Sequence, residues 1–439
     1  MKLWCRHAWL GGPALSRGVL LEVADGWIAA VSSDVTPPAD AERLDGLVLP
    51  GLANAHSHAF QRALRGTTHG DFGSFWTWRR QMYQLAGRLD PDSMLAIARA
   101  AFAEMALAGI TLVGEFHYVH HGPGGVPYAD SNAMGGAVIE AAAQAGLRLT
   151  LLDACYLDGG IEPDPVQERF FDTDVEAWST RVTALQAGPA VRLGAAIHSM
   201  RAVPPESAAQ VARWAAEDAR PVHAHVSEQP AENEACLEVY GATPTGLLHF
   251  EGALSERFTA VHATHLTDAD VSLLSQARVS CCLCPTTERD LADGIGPARR
   301  LHESGCRLTI GTDSNALIDP WEEMRAIELD ERLASGSRGG LDGATLLRSG
   351  TASGYESLGW PEGGRIAEGA LADLVCLDLT GVRLAGCSAE DLVDAAVFAA
   401  ASGDVRHVLV GGRFVVRDGR HVSLDVAGEL DSAVGALRR

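Results

Sequence analysis

Between residues 49 and 311, short apolar runs alternate with longer stretches in which apolar residues recur every three to four positions. Short apolar runs read as buried strands, and the longer spacing reads as helices packed by one face. The strand-like runs are the one carrying Val48 and Leu49 towards His56, then 110–116, 147–155, 191–197, 221–225, 258–262, 279–284 and 307–311. Helical patterns at 91–109, 132–145, 205–219, 267–277 and 297–304 connect several of them, with Pro91 as a start signal and Gly109 and Gly146 as stops. Strands joined by helices in this number predict an α/β fold, a (β/α)8 TIM-like barrel, with a doubly wound sheet as the alternative. Further helices are expected at 321–337 and 344–350. The chain ends differ: strand-length runs at 19–23, 27–31, 371–377 and 405–416 come with turns and no long helical pattern. They predict one small β-sandwich module formed by both ends, residues 1–48 and 366–439, beside a catalytic barrel at 49–365. A polar and aromatic insertion follows the first barrel strand at 60–89, and the insertion 156–190 carries no assignable motif.

Composition narrows the function. With 47% hydrophobic and 21% charged residues, the 439-residue chain has ample core, and no apolar run approaches a membrane span. A formal net charge of −22 disfavours nucleic acid, which needs a basic footprint. An acidic small substrate is still possible if local arginines hold it. Lys2 is the only lysine, so a Schiff-base lysine, a P-loop lysine and a carbamylated lysine bridging two metals are all excluded from the interior. Nine scattered cysteines argue against a disulfide framework. The N-terminus shows no apolar secretory segment, and a cytoplasmic enzyme is expected.

Barrel enzymes place their chemistry at the C-terminal ends of the strands. Here those ends carry His56 and His58, then Glu115, His117 and Tyr118, then His198, then His225 and Glu228, then His262, and finally Asp313. A single such residue is more often a satisfied core histidine than a ligand. Six strand ends sharing the habit point to a site. Residues two apart on a strand face the same way, so both imidazoles of His56-Ser57-His58 can reach one ion. His56, His58 and His225 supply nitrogen and Asp313 a carboxylate, which suits zinc with an open position for water. Iron or manganese could also sit on such a set. Asp313 and Glu228 can move protons, and His262 can stabilise developing charge. His223 is taken as a support or pocket residue, and His249 and His265 as structural or exposed. Cys281, Cys282 and Cys284 lie on one strand and are expected to pack in the core; His120-His121 is expected in a solvent loop.

The His-x-His after the first strand, His-x-x-Glu at the fifth, His at the sixth and Thr-Asp-Ser at the eighth resemble the amidohydrolase superfamily. Longer words, Asn54-Ala55-His56-Ser57-His58-Ala59-Phe60-Gln61-Arg62, Gly114-Glu115-Phe116-His117-Tyr118, His198-Ser199-Met200-Arg201 and Cys284-Pro285-Thr286-Thr287-Glu288, resemble the formimidoylglutamate deiminase family through nearly the whole chain. That resemblance implies a mononuclear zinc hydrolase of histidine degradation, converting N-formimidoyl-L-glutamate to N-formyl-L-glutamate and ammonia. It implies metal ligands His56, His58, His225 and Asp313, with Glu228, His262 and Asp313 handling protons. It places substrate contacts on Gln61, Arg79, Tyr118, His198 and Arg201, with Arg80 a rival for Arg79. The substrate's two carboxylates suit bidentate arginines. A homodimer is expected. One rival is a nucleobase or nucleoside deaminase of the same superfamily, which would favour an apolar slot over paired arginines. A catalytically silent scaffold is disfavoured because all four ligands are present.

Overall fold

The strand Glu42–Pro50 and the strand Leu52–Ser57 meet at Gly51, where the chain leaves one sheet for another. Only glycine fits that corner: a Cβ would sit 2.2 Å from Thr111 Oγ1. From there a parallel sheet grows in sequence order through Leu52–Ser57, Ile110–His117, Arg148–Cys155, Val191–Ile197, Val222–Val226, Phe258–His262, Ser280–Leu283 and Arg307–Ile310. These strands are buried along most of their length, as the unbroken apolar runs predict for a parallel sheet covered on both faces. The structure, a computed structural model, describes every residue except 13, 70–72, 161–162 and 439. Part of the 60–89 insertion and the last residue of the expected 366–439 segment therefore lie outside the described residues.

The sheet closes into a barrel through backbone bonds between its first and last strands. His58 N–H donates to Asp313 O at 2.9 Å, and Asp313 N–H donates to His56 O at 3.0 Å. The buried Asn54 side chain adds two bonds to Thr312, accepting its N–H at 2.9 Å and donating to its Oγ1 at 2.6 Å. Asn315 donates to the carbonyls of His58 and Asp313 at 3.0 and 3.2 Å.

The expected connecting helices form close to their predicted limits. Pro91–Leu107 starts where Asp90 accepts the Ser93 N–H, and Ala133–Ala145 stops at Gly146 in the left-handed region, φ 75°. Helices at Val175–Thr183, Pro230–Tyr240, Pro244–Phe250, Pro285–Leu291, Ala352–Ser357 and Leu392–Phe398, and the two that follow, go beyond the sequence expectations. Phe75–Ala86 forms inside the 60–89 insertion, begun by Ser74 and Thr77. Val426–Arg438 ends the chain, burying Val426, Ala433 and Leu437 and pairing Glu429 with Arg99 Nε at 3.0 Å.

Both chain ends contribute to a second eight-stranded sheet, in which Glu42–Pro50 lies between Lys2–Ala8 and Leu374–Leu377. It encloses its own apolar core, with Leu3, Leu21, Ile28 and Leu409 among its members. Asp373 ties this sheet to the barrel. Its carboxylate accepts from Arg148 Nε at 2.7 Å, Arg148 Nη2 at 3.1 Å, Tyr355 Oη at 2.9 Å and the Gly411 N–H at 2.7 Å. Removing one partner of a buried pair leaves an uncompensated charge, so Asp373→Ala is expected to destabilise by about 3–5 kcal/mol. Denaturant unfolding measures it; a change near zero refutes the tie. Among the described residues no helix is long and apolar enough to cross a membrane.

Candidate active site

Barrel closure brings the predicted ligands together. His56 Nε2 lies 3.2 Å from His225 Nε2 and 3.3 Å from Asp313 Oδ1, and His58 Nε2 lies 3.4 Å from the same oxygen. The tautomers follow from the outer bonds. His58 Nδ1 donates to Phe116 O and His225 Nδ1 to His198 O, both at 2.8 Å, so each Nε2 turns a bare lone pair inwards. Burial holds His58 and His225 below the ordinary imidazole range and takes His56 to about 3 even against the nearby Asp313. Asp313 is itself buried, yet His56, His58 and His262 keep its carboxyl below the usual range. Three neutral nitrogens and one carboxylate oxygen thus converge as acceptors, and among the described residues the outer nitrogen of His56 has no hydrogen-bond partner. That donor set fits a divalent cation such as zinc. Asp313 at φ 42° and His262 at φ 68° sit in the left-handed region, a strain that turns at a working site commonly carry.

The proton-handling candidates stand beside this cluster. Ser227, at φ 53°, turns the chain after the fifth strand and presents Glu228 to the cavity. Glu228 Oε2 accepts from Arg201 Nη2 at 3.0 Å, and its Oε1 lies 3.7 Å from His262 Nε2. The other ring nitrogen of His262 reaches Glu288 Oε1 at 3.3 Å. Burial lowers the His262 pKa, but Glu228, Glu288 and Asp313 outweigh it and push it up to about 10. Glu288 is fixed in turn by the Cys284 N–H at 2.9 Å. It belongs to the Cys284–Glu288 word, but its role as a carboxylate behind His262 is visible only in three dimensions.

A cleft opens above the cluster, enclosing about 630 Å3 of space, part of it open to solvent. Gln61, Arg79, Tyr118, His198 and Arg201 all line it. Gln61 Nε2 donates to Tyr118 Oη at 3.0 Å. Arg79 lies over Trp76 and Tyr83, at 4.8 and 5.2 Å from the ring centres, and is buried, whereas Arg80 faces solvent. The wall also contains Phe75, Trp78, Met82 and Tyr83 from the unpredicted helix, and Tyr156 and Phe170 from the 156–190 insertion. Positions 75, 78, 79, 82 and 83 form one helical face, which was the available signal.

Other residues take supporting places. Glu115 accepts the Ala59 N–H at 2.6 Å and shapes the turn after His58; burial pushes its carboxyl up to about 8. His223 donates to Ser357 O at 3.0 Å and His265 to Asp293 O at 2.7 Å, while His249 is exposed. Cys281, Cys282 and Cys284 are buried. Cys284 lies close to His262 and Glu288, and burial pushes its thiol well above the ordinary range, so it packs as a neutral thiol. The expectation of a solvent loop at His120-His121 is wrong, because both are buried. Their N–H groups donate to Arg169 O at 3.0 and 2.9 Å, and His120 Nε2 bonds Ala154 O at 2.9 Å. Arg169, from the 156–190 insertion, clamps the segment by donating to His121 O at 2.9 Å and Leu89 O at 2.6 Å.

Comparison with known proteins agrees with this geometry. The family model for the amidohydrolase family matches residues 47–415. A formimidoylglutamate deiminase of Pseudomonas aeruginosa is 39% identical over 434 residues, covering 95% of this chain and 94% of that protein. A crystal structure of an amidohydrolase from Brucella melitensis superposes with a TM-score of 0.93 at 33% identity, covering 100% of each chain. An adenosine deaminase from Xanthomonas campestris with bound zinc superposes with a TM-score of 0.85 at 25% identity, covering 100% of this chain and 97% of that one. The chain belongs to the amidohydrolase family, and it is a hydrolase acting on C–N bonds.

Proposed function

We propose that this hydrolase converts N-formimidoyl-L-glutamate and water to N-formyl-L-glutamate and ammonia, a step of histidine degradation carried out in the cytoplasm. The observation that carries the reading is a pair of arginines, Arg79 and Arg201, lining the same cavity as the three-histidine, one-aspartate cluster. A chain of net charge −22 repels a dicarboxylate unless local guanidiniums receive it. The P. aeruginosa relative, 39% identical, carries the deiminase name.

His56, His58, His225 and Asp313 would hold one zinc ion, which supplies Lewis-acid activation of water when bound. Asp313 takes a proton from the attacking water as its oxygen adds to the formimidoyl carbon. His262, charged and buried between Glu228 and Glu288, stabilises the negative charge that develops on that oxygen. Glu228 and Asp313 between them deliver both water protons to the departing nitrogen, the added oxygen becomes the formyl carbonyl as the C–N bond breaks, and ammonia leaves. Tyr118 and His198 donate along the substrate, and Gln61 orients the formimidoyl end.

An ammonia-release assay on N-formimidoyl-L-glutamate tests the reading; no release by zinc-loaded protein overturns it. Arg79→Met should remove about 1.5–3 kcal/mol of charged hydrogen bonding. That corresponds to a rise of roughly 10–100-fold in KM. An unchanged KM removes Arg79 from the carboxylate clamp. The aromatic wall of Trp78, Tyr83, Tyr156 and Phe170 favours one second reading, a nucleobase or nucleoside deaminase. Adenosine and guanine in the same assay separate the two.

A further inference from the structure

Just outside the cavity wall lies a carboxylate that this reaction scheme leaves idle. Glu232 is fully buried in the first turn of the helix Pro230–Tyr240. Its Oε2 accepts the backbone N–H of Glu228 at 3.1 Å, and its Oε1 lies 3.9 Å from Arg201 Nε. Among the described residues neither that oxygen nor that Nε has a hydrogen-bond partner, and both are buried. Arg201 meanwhile gives Nη2 to Glu228 at 3.0 Å. One buried guanidinium therefore stands between two buried carboxylates.

A first-turn glutamate reaching back to a preceding N–H is an ordinary helix-start device. That accounts for Oε2 alone. It leaves unexplained why a second oxygen faces the Nε edge of a guanidinium that lines the cavity.

We propose that Glu232 is a positioning residue that anchors Arg201 by its Nε edge, keeping the rest of the guanidinium available to a substrate carboxylate and holding Glu228 at a fixed spacing from that clamp. The proposal rests on the reading of a carboxylate-bearing amidine substrate and deepens it. Without the Glu232 charge, Glu228 becomes the main anionic partner of Arg201. The guanidinium then closes on the proton carrier and is withdrawn from the substrate. A glutamine at 232 keeps an acceptor for the Glu228 N–H and loses only the charge, which separates anchoring from helix capping.

The test compares zinc-loaded wild type, Glu232→Gln, Arg201→Met and the double variant on N-formimidoyl-L-glutamate and on N-propylformamidine, an amidine without carboxylates. Glu232→Gln is expected to lower kcat/KM about tenfold on the first, chiefly through KM, and less than about threefold on the second. In the Arg201→Met background the same change should have an effect of less than about threefold, since the partner it acts through is gone. Equal losses on both substrates, or a loss that persists without Arg201, overturn the proposal. Calorimetric binding of N-formyl-L-glutamate, with melting curves to check folding, gives a readout independent of turnover. If the wild type fails to hydrolyse N-formimidoyl-L-glutamate yet binds N-formyl-L-glutamate about tenfold better than Glu232→Gln does, the reaction is wrong and the anchoring stands. Equal binding by the two proteins overturns the anchoring.

Discussion

Glu228→Gln is expected to lower turnover by roughly 10²–10⁴-fold, the span typical of a lost proton carrier, while the protein keeps its zinc. Glu228 is three residues past His225 and is turned towards the cavity by Ser227 rather than towards the ligand cluster. It touches Arg201 and approaches His262, so glutamine preserves its shape and removes its proton chemistry. Steady-state rates with metal analysis on the same sample decide the matter. A near-full rate refutes the proton-carrier role, and a loss of zinc would move Glu228 into the ligand set.

His225→Ala should bring zinc content and activity down together, to the level of chelator-treated wild type. The reason is electrostatic. His56 and His225 nitrogens 3.2 Å apart, with Asp313 beside them, are held together by a cation far better than by a shared proton. Zinc at about a thousand times its dissociation constant adds about 4 kcal/mol of stability to a chain that binds it only when folded. Chelation should therefore lower the melting temperature of the wild type and leave that of His225→Ala unchanged. Equal melting shifts in both proteins would mean that the ion binds elsewhere.

Most of this site was legible because strand geometry is simple. Alternation placed His56 and His58 on one side, and barrel topology placed Glu228, His262 and Asp313 at the same mouth. The helix Phe75–Ala86 was harder to see. Its inner face sets Arg79 and Tyr83 among Phe75, Trp78 and Met82, so the apolar stripe is interrupted where a guanidinium meets the cavity. The same helix separates Arg79 from Arg80, since neighbours in a helix point about 100° apart. His120 and His121 misled for another reason. Their burial depends on Arg169, 48 residues beyond His121, in an insertion with no readable pattern. Glu232 and Glu288 each follow a recognised residue by four positions, but nothing local says that their carboxylates turn back towards Arg201 and His262.

The seam between the first and last strands governs when the catalyst can come into being. Asn315 binds Ser57 and His58 across separations of 258 and 257 residues, and the full ligand set exists only where those distant segments meet. A nascent chain emerging from the ribosome exposes His56 and His58 long before Asp313 is synthesised. On the proposed reading, ion loading is expected to be a late event in biogenesis, following release of the eighth strand, and a prematurely terminated chain that lacks that strand would keep two or three imidazoles without the complete cage.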